Sequence, residues 1–250
     1  MTLNTIKTGA ILMPTQLVLG SPCEQPKIDA VALAMGPCLW LIDCLHHRLR
    51  HTTGRFNKLG QGLIELLSTS ERERLETLFQ TRHQDRFLLA HASLRLLLAG
   101  ILGCSPHVVA FARGPYGKPM LAQPIAALGA VQFNLSYAGD YVLIGLHSHS
   151  CIGVDIAETL MGADFGLDSL ALAKLWFSPV VVQQLSCLPV QRRAPLFFQH
   201  WCRLEAELKA SGSGFRLDLP FPLPLDPLLG LGVYAVKVPQ GYCSCCVIRY

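Results

Sequence analysis

Two strand patterns joined by a short turn constrain the fold of this chain more than any other feature of its sequence. The segments VQFNLS (131–136) and YVLIGLH (141–147) are largely apolar, and Ala138-Gly139-Asp140 joins them. The segments VYAVKV (233–238) and GYCSCCVIRY (241–250) form a second such pair at the C-terminal end. The sequence therefore predicts two pairs of antiparallel strands.

Helical patterns lie between the predicted strands. Ser70 and Glu73 have the spacing of a capping box, which indicates the start of a helix. An apolar stripe from Phe87 to Ile101 stops at Gly103, as is typical of a helix C-terminus. Because strands and helices alternate before the chain finishes in antiparallel strands, we expect a mixed α/β or α+β fold. Three further helical patterns follow, at 167–177, 179–187 and 195–210.

The two halves of the chain share one local feature, a strand that begins with tyrosine after a glycine turn. It occurs at Tyr141 and again at Tyr242, which indicates two similar lobes although the sequence itself does not repeat. Residues 1–37 carry little pattern, whereas CLWLIDCL (38–45) predicts a buried strand. We predict a leader of uncertain order at 1–37, an N-terminal lobe at 38–146 and a C-terminal lobe at 147–250.

The composition indicates a globular protein that favours anionic ligands. Apolar residues make up 51% of the 250 residues and charged residues 15%, with a net charge of +4. The longest apolar segments, 31–45 and 87–103, contain charged side chains and are shorter than the roughly 20 apolar residues that a membrane span needs. The basic segment 46–62 is expected to be a solvated loop or a docking surface for an acidic partner, since no interleaved aromatic residues favour nucleic acid.

The chain has ten cysteines, of which Cys243, Cys245 and Cys246 are close neighbours on one predicted strand. Most lie in apolar segments, so we interpret them as reduced cysteines that pack as small hydrophobic residues in a cytoplasmic protein. A zinc site at Cys243, Cys245 and Cys246 is disfavoured because its ligands would point both ways from one strand. An export signal is disfavoured because Pro14 interrupts the first apolar run.

Two carboxylates are the main candidates for a functional site. Asp155 lies in the apolar strand pattern IGVDIA, where a carboxylate is costly unless it is paired or binds a metal; the alternative is exposure at the strand end. Glu205 borders an apolar helical stripe, and the alternative there is a surface pair with Lys209, four residues on. Together the two acids would suit Mg²⁺ on a phosphate ester, because Mg²⁺ takes oxygen ligands and usually one or two protein carboxylates.

Four segments, taken in order, resemble the motifs of one enzyme family. They are similar to the family blocks G-K-P, F-N-x-S-H-S, G-x-D-x-E and W-x-x-K-E-A-x-x-K. The family is the 4′-phosphopantetheinyl transferases of the surfactin-synthetase-activating type, and the resemblance covers residues 66–250. It implies an α+β pseudo-dimer of two similar lobes with the active site in the cleft between them. The four segments are YGKP (116–119), FNLSYAGDYVLIG (133–145), IGVDIA (152–157) and WCRLEAELKASGSGF (201–215).

The resemblance also implies an activity and a set of site residues. The expected reaction is Mg²⁺-dependent transfer of 4′-phosphopantetheine from coenzyme A to a serine of an acidic acyl or peptidyl carrier protein, with release of adenosine 3′,5′-bisphosphate. Asp155 and Glu205 match the metal-binding acids, and Glu205 and Lys209 match the catalytic residues. Neither nucleic acid nor a membrane is expected as a partner. The positions that match coenzyme A contacts are Arg74, Arg86, Lys118, Ser136 and Tyr137.

The chain departs from the family pattern at positions that bear on activity. Ala157 replaces an acid, so a third carboxylate is missing unless Glu158 turns inward or water substitutes. Tyr137 replaces a histidine, Leu204 replaces a lysine, and Glu71 stands where a basic residue is often found. One alternative is therefore a degenerate family member that binds coenzyme A or a carrier protein without catalysis. A second is an unrelated α/β protein that binds nucleic acid through its basic segment.

Overall fold

The computed structural model of the chain describes residues 10–22, 26, 28–123, 131–159, 165–214 and 230–250. It divides into two compact units, Thr15–His149 and a second unit that joins Met1–Pro14 to Ser150–Tyr250. Both units contain helices and antiparallel strands, so the predicted α+β class is confirmed. The described strands are β1 (Ile11–Leu12), β2 (Thr15–Gln16), β3 (Cys38–Asp43), β4 (Phe111–Arg113), β5 (Pro119–Leu121), β6 (Val131–Ala138), β7 (Tyr141–Ser148), β8 (Cys151–Glu158), β9 (Leu231–Val236) and β10 (Tyr242–Arg249). The described helices are α1 (Ala30–Met35), α2 (Lys58–Leu66), α3 (Thr69–Glu76), α4 (Thr81–Leu102), α5 (Phe165–Trp176), α6 (Pro179–Ser186) and α7 (Val190–Ser211), with a 3₁₀ turn at Pro106–Val108.

The unit Thr15–His149 is built on a four-stranded sheet in the order β2-β3-β7-β6. Strand β2 runs parallel to β3, and the other pairs are antiparallel. The hairpin predicted from the sequence is present as β6 and β7, with Ala138 opposite Tyr141. Gly139, in the turn between them, has a φ of 52°, a conformation that favours glycine.

Helix α4 supplies much of the core of this unit. Leu88, Leu89, Leu96 and Leu97 are fully buried on it and belong to one hydrophobic cluster with residues of the sheet. The helix ends where the sequence predicts, with Gly103 in the left-handed conformation at φ 64° and its N–H bonded to the carbonyl of Ala99. The apolar stripe and the glycine stop were therefore sufficient to place this helix.

The capping box lies two residues before the predicted one. Ser68, not Ser70, caps α3: the Ser68 hydroxyl accepts a hydrogen bond from the Glu71 N–H, and the Glu71 carboxylate accepts one from the Ser68 N–H. Both serines have a glutamate three residues later, so spacing alone could not separate them. Tertiary contacts separate them, because Glu71 is held by the buried Arg95 of α4.

The described part of 1–37 takes part in both units. Residues 1–9, 23–25 and 27 lie outside the described residues, but β1 pairs with β9 in one unit and β2 pairs with β3 in the other. Leu17, Leu19 and Leu33 are buried, and the Leu19 N–H donates to Nε2 of His47 over 2.9 Å. This segment contributes to the core, whereas its sequence suggested a loosely attached leader. The boundary between the units falls at 149/150 rather than at 146/147, after β7 has ended at Ser148.

The second unit is a four-stranded sheet in the order β1-β9-β10-β8, covered on one face by the long helix α7. Strand β10 is antiparallel to both of its neighbours, as the terminal hairpin pattern predicts. Helix α7 lies so close to β8 that a Cβ added at Gly153 would be 1.9 Å from the carbonyl oxygen of Ala206. Only glycine fits there, and the close approach brings the side chains of α7 onto the neighbouring positions of β8.

Candidate active site

The contact between β8 and α7 brings together Asp155 and Lys209. Because side chains alternate along a strand, Asp155 and Ala157 share the face of Gly153, which packs against α7. The Asp155 side chain is only 8% exposed, and its Oδ1 accepts a hydrogen bond from Nζ of Lys209 over 2.6 Å. The Asp155 carboxylate is thus buried and paired within an apolar strand. The alternative, in which Asp155 is exposed at the end of the strand, is wrong.

Glu205 lies one helical turn before Lys209 on α7 and is half-buried. Burial raises the pKa of its carboxyl group, the Lys209 ammonium lowers it, and the negative charge of Asp155 raises it further. One ammonium therefore serves two carboxylates that repel each other. A cation that both carboxylates can reach would reduce this repulsion and stabilise their ionised forms.

The donor set of this cluster fits a magnesium ion. Two carboxylates supply oxygen ligands, and Mg²⁺ commonly takes one or two protein carboxylates and completes its shell with water and phosphate oxygens. A cluster of three or more histidine, cysteine, aspartate or glutamate side chains at metal-binding distance does not occur among the described residues. Any ion held by Asp155 and Glu205 would thus depend on ligands from water and substrate.

Glu158 does not replace the acid that is missing at Ala157. It lies on the opposite face of β8 from Asp155, it is exposed, and its Oε1 accepts a hydrogen bond from the Tyr242 hydroxyl over 2.9 Å. Ala157 itself packs against two hydrophobic clusters. The inward-facing alternative for Glu158 is therefore wrong, and water or substrate is left to fill that position.

Two neighbours of Asp155 were not singled out by the sequence. The Ser244 hydroxyl donates to the carbonyl oxygen of Asp155 over 2.6 Å, and the Cys202 thiol lies near the Asp155 side chain. Ser244 reaches this position through the pairing of β10 with β8, and Cys202 through the packing of α7 on the sheet. Neither contact could be found from local spacing, because the partners are far apart in the chain.

Leu204, which stands where the family pattern has a lysine, belongs to the hydrophobic core. It is 1% exposed and packs in a cluster with Phe197, Phe198 and Leu208. A lysine ammonium at this depth would lose its hydration without compensation from the apolar neighbours. The leucine is therefore compatible with the local packing, and the positive charge near the two acids comes from Lys209.

In the other unit, three of the predicted coenzyme A contacts lie around shared cavities. Arg74 and Tyr137 line a cavity of about 550 Å³, and both line a second cavity of about 310 Å³ together with Arg86. The Arg86 guanidinium lies 5.6 Å from the centre of the Tyr137 ring and donates to the carbonyl of Gly139 over 2.9 Å. This stacking gives Tyr137 a role beside a cation even though it cannot carry charge itself.

Lys118 and Ser136 do not line these two cavities. Ser136 is 4% exposed and, by strand alternation, lies on the opposite face of β6 from Tyr137. Lys118 lies in the turn between β4 and β5, where its carbonyl accepts from the Gly114 N–H over 2.9 Å. Arg113, at the end of β4, does line the larger cavity, and the sequence analysis did not single it out. Its only signal was its place directly before the GPYGKP turn.

The wall of this cavity contains a buried cluster of charged side chains. Glu71 accepts hydrogen bonds from His91 Nδ1 over 2.8 Å and from Arg95 Nε over 2.9 Å, and its Oε2 lies 2.7 Å from Arg95 Nη2. Burial alone would raise the pKa of Glu71, but the hydrogen bonds from His91 and from the Ser68 N–H, together with the charge of Arg95, lower it to about 2. The family pattern often has a basic residue at this position. In this chain the position is acidic, and Glu71 neutralises the buried Arg95.

The low pKa of Glu71 predicts a loss of stability in acid. Its pKa lies below the value of an unfolded glutamate, so its contribution is fully present above about pH 4.5 and falls as the pH drops towards 2. At about 1.4 kcal/mol per pKa unit, the contribution is no more than about 3.5 kcal/mol. We expect Glu71→Gln to lower the free energy of unfolding most at pH 7 and by a clearly smaller amount near pH 3, as measured by urea unfolding across this range.

Glu73→Gln is the matched control for this experiment. Glu73 is the other glutamate of α3 with a serine three residues before it, and it is exposed. Its replacement should change stability little at either pH. A Glu71→Gln deficit that is equally large at pH 3 and pH 7 would show that ionisation of Glu71 is not the source of the effect.

Comparison with known proteins assigns one family description to each unit. Residues 59–149 match the family described as 4′-phosphopantetheinyl transferase, N-terminal, and residues 151–229 match the 4′-phosphopantetheinyl transferase superfamily. The first match falls within Thr15–His149 and the second within Ser150–Tyr250. Each family description thus matches a segment that lies within one of the two compact units.

Individual relatives carry the same name. The chain is 40% identical over 167 residues to slr0495 of Synechocystis sp., whose name assigns it provisionally as a 4′-phosphopantetheinyl transferase, covering 67% of this chain and 65% of that protein. It is 34% identical over 167 residues to the 4′-phosphopantetheinyl transferase HetI of Nostoc sp., covering 67% of this chain and 68% of HetI. It is 30% identical over 147 residues to the 4′-phosphopantetheinyl transferase psf-1 of Bacillus pumilus, covering 59% of this chain and 57% of psf-1. The chain thus spans slightly under two thirds of the first of these relatives. Within the described residues, no helix is long and apolar enough to cross a membrane.

Proposed function

This chain belongs to the 4′-phosphopantetheinyl transferase superfamily, and from that premise we propose that it is an active enzyme of the surfactin-synthetase-activating type. It transfers the 4′-phosphopantetheine group of coenzyme A to a serine hydroxyl of an acyl or peptidyl carrier protein and releases adenosine 3′,5′-bisphosphate. The observation that carries the proposal is the 2.6 Å contact of Lys209 with the buried Asp155, beside Glu205. We expect the reaction to take place in the cytoplasm, because the sequence indicates reduced cysteines.

The two acids and the lysine have separate tasks in this reaction. Asp155 and Glu205 would hold Mg²⁺, which when bound supplies positive charge to the pyrophosphate of coenzyme A. Lys209 stabilises the negative charge that builds on the leaving phosphate, because its ammonium is already oriented by Asp155. Glu205 accepts the proton of the attacking serine.

The cations of the unit Thr15–His149 suit the nucleotide end of coenzyme A. Arg74, Arg86 and Arg113 line neighbouring cavities, and arginine recognises phosphate through paired hydrogen bonds. Tyr137 provides an aromatic face next to Arg86, which supplies stacking but no charge. Lys118 in its turn between strands offers a further ammonium for an outlying phosphate. The carrier protein is expected to be acidic, because the chain is mildly basic.

Transfer of a label from coenzyme A tests the proposed function directly. Coenzyme A labelled in the pantetheine part is incubated with the chain, Mg²⁺ and a panel of apo carrier proteins, with a carrier whose acceptor serine is replaced by alanine as control. We expect label on at least one carrier and none on its serine variant. Measurable coenzyme A affinity without transfer at any Mg²⁺ concentration would overturn catalysis and support the degenerate alternative, which the substitutions at Ala157, Tyr137 and Leu204 motivate.

The alanine at position 157 predicts a raised magnesium requirement. With two carboxylates in place of three, Mg²⁺ should bind more weakly, so activity should saturate only at higher Mg²⁺. Ala157→Glu places an acid on the face of β8 that carries Asp155, and we expect it to lower the half-saturating Mg²⁺ concentration by roughly tenfold, the change that about 1.4 kcal/mol of added binding energy gives. The measurement is the initial transfer rate as a function of Mg²⁺ concentration.

The strand β8 also offers a matched control for the magnesium titration. Position 153 accepts no side chain, and Glu158 lies on the opposite face of the strand. Glu158→Gln should therefore leave the magnesium titration unchanged. If Ala157→Glu also leaves it unchanged while the variant retains the native melting temperature, water already serves as well as the missing carboxylate.

A further inference from the structure

Two cysteines from different elements meet directly beside the two-acid cluster. The sulfur of Cys202 on α7 lies 3.3 Å from the sulfur of Cys243 on β10, although the residues are 41 positions apart. The Cys202 thiol is also directed at the backbone of the same strand, with 3.5 Å between its sulfur and the carbonyl oxygen of Cys243. The helix and the strand are packed against each other along their length, so this juxtaposition is held by the core of the unit.

The two thiols differ in their access to solvent. Cys202 is fully buried, whereas Cys243 is partly exposed and lines an open groove of about 700 Å³. Arg203 and Lys237 line the same groove, and Nε of Arg203 is buried without a hydrogen-bond partner among the described residues. Reactive cysteines are typically found where a partly exposed sulfur lies near positive charge. An oxidant in the solvent would therefore reach Cys243 before Cys202. The buried Cys202 would then act as the resolving cysteine, the one that attacks the oxidised sulfur.

We propose that Cys202 and Cys243 form a reversible disulfide and that this pair is a redox-modification site of the protein. Hydrogen peroxide oxidises the Cys243 thiol to a sulfenic acid, with one water released. The sulfur of Cys202 then attacks the sulfenic sulfur, the new S–S bond replaces the S–O bond, and the hydroxyl leaves as water with the Cys202 proton. A dithiol reductant reverses the reaction by thiol–disulfide exchange.

The oxidised pair changes the surroundings of Asp155. In the reduced chain the Cys202 thiol lies near the Asp155 carboxylate, and the disulfide has no S–H to offer there. The bond also ties α7, which carries Glu205 and Lys209, covalently to β10. This consequence for transfer rests on the proposed function: we expect oxidation, which removes this S–H and fixes α7 to β10, to slow transfer by on the order of tenfold, a factor that corresponds to about 1.4 kcal/mol.

Mass spectrometry tests the modification independently of any activity. The full chain is treated with hydrogen peroxide and digested without reduction. We expect a cross-linked peptide pair that contains Cys202 and Cys243, the loss of two hydrogens in the intact mass, and restoration by dithiothreitol. The melting temperature should rise by roughly 5 °C or more in the oxidised chain, because the bond closes a long loop, and should fall back on reduction.

Single replacements test which sulfur is oxidised first and which sulfur then forms the disulfide with it. Cys202→Ala should abolish the cross-link and leave a sulfenic acid at Cys243 that dimedone traps, whereas Cys243→Ala should give neither product at these two positions. Cys187→Ser, which removes an exposed thiol, is the control and should leave the cross-link unchanged. Should the cysteine-to-alanine variants fold poorly, the peptide map and melting curve of the native chain still decide the matter.

Two results would overturn this proposal. One is a peroxide-treated chain whose Cys243 proceeds to sulfinic or sulfonic acid with Cys202 still reduced. The other is a cross-link that involves different cysteines. An oxidised, cross-linked chain that transfers as fast as the chain with reduced thiols would overturn the effect on Asp155. A chain with reduced thiols that transfers to no carrier would instead count against the proposed function.

Discussion

Asp155→Asn and Glu205→Gln are expected to lower the rate of phosphopantetheine transfer by on the order of 10³-fold or more, corresponding to about 4 kcal/mol of transition-state stabilisation. Each amide keeps the size of the carboxylate but removes the negative charge that would hold Mg²⁺. Asp155 has the additional task of orienting the Lys209 ammonium, which it contacts over 2.6 Å. In the proposed mechanism Glu205 also accepts the serine proton. Water cannot replace a charged ligand at the packed contact between β8 and α7.

The measurement is kcat at saturating coenzyme A and carrier protein, together with calorimetric binding of Mn²⁺ as a substitute for Mg²⁺. Metal affinity should fall in both variants, because each loses a charged ligand. Glu158→Gln is the matched control, because this exposed carboxylate on the opposite face of β8 is held by Tyr242. Near-native turnover in either acid variant, with an unchanged melting temperature, would show that the site lies elsewhere.

Lys209→Ala should lower kcat by on the order of 10²- to 10³-fold and change the KM for coenzyme A little, because removal of a preorganised group that stabilises transition-state charge costs about 3 to 4 kcal/mol. The surface alternative, a Glu–Lys pair along one helix, predicts almost no kinetic change. The structure supports the stronger effect, since the Lys209 side chain is 28% exposed and its ammonium contacts Asp155 on a different element.

Lys118→Ala is the matched comparison for Lys209→Ala. Lys118 lies in the turn between β4 and β5, in the other unit, and a contact made equally in the ground state and the transition state alters KM alone. We expect Lys118→Ala to raise the KM for coenzyme A several-fold with kcat unchanged, a range typical of losing one exposed ionic contact of up to about 1 kcal/mol. A Lys209→Ala enzyme with native kcat would leave Lys209 with a structural role only.

The sequence determined the elements that local chemistry defines. Alternating apolar residues and a glycine turn were enough to predict the hairpin of β6 and β7, and an apolar stripe ending at Gly103 was enough to predict α4. Asp155 could be selected because a carboxylate in an apolar strand is costly without a partner. Four ordered motifs added the family, whose two descriptions match successive parts of the chain.

Choices between equivalent local patterns were made only by tertiary contacts. Ser68 and Ser70 each have a glutamate three residues on, and the buried Arg95 selects Glu71 and therefore Ser68. The sequence could not tell whether Glu158 turns inward, because that depends on which face of β8 packs against α7. The described part of 1–37 had no pattern of its own, and it gains its strands by pairing with β9 and β3.

The composition of the candidate site was decided in the same way. Glu205 and Lys209 are four residues apart on one helix, so the sequence already placed them together, but the ammonium bonds Asp155, which is 54 residues away. The approach of Cys202 to Cys243 likewise depends on the packing of α7 against β10. Periodicity encodes which face of an element is apolar, whereas the position along that face at which two elements meet is set by close packing, here by the absence of a side chain at Gly153.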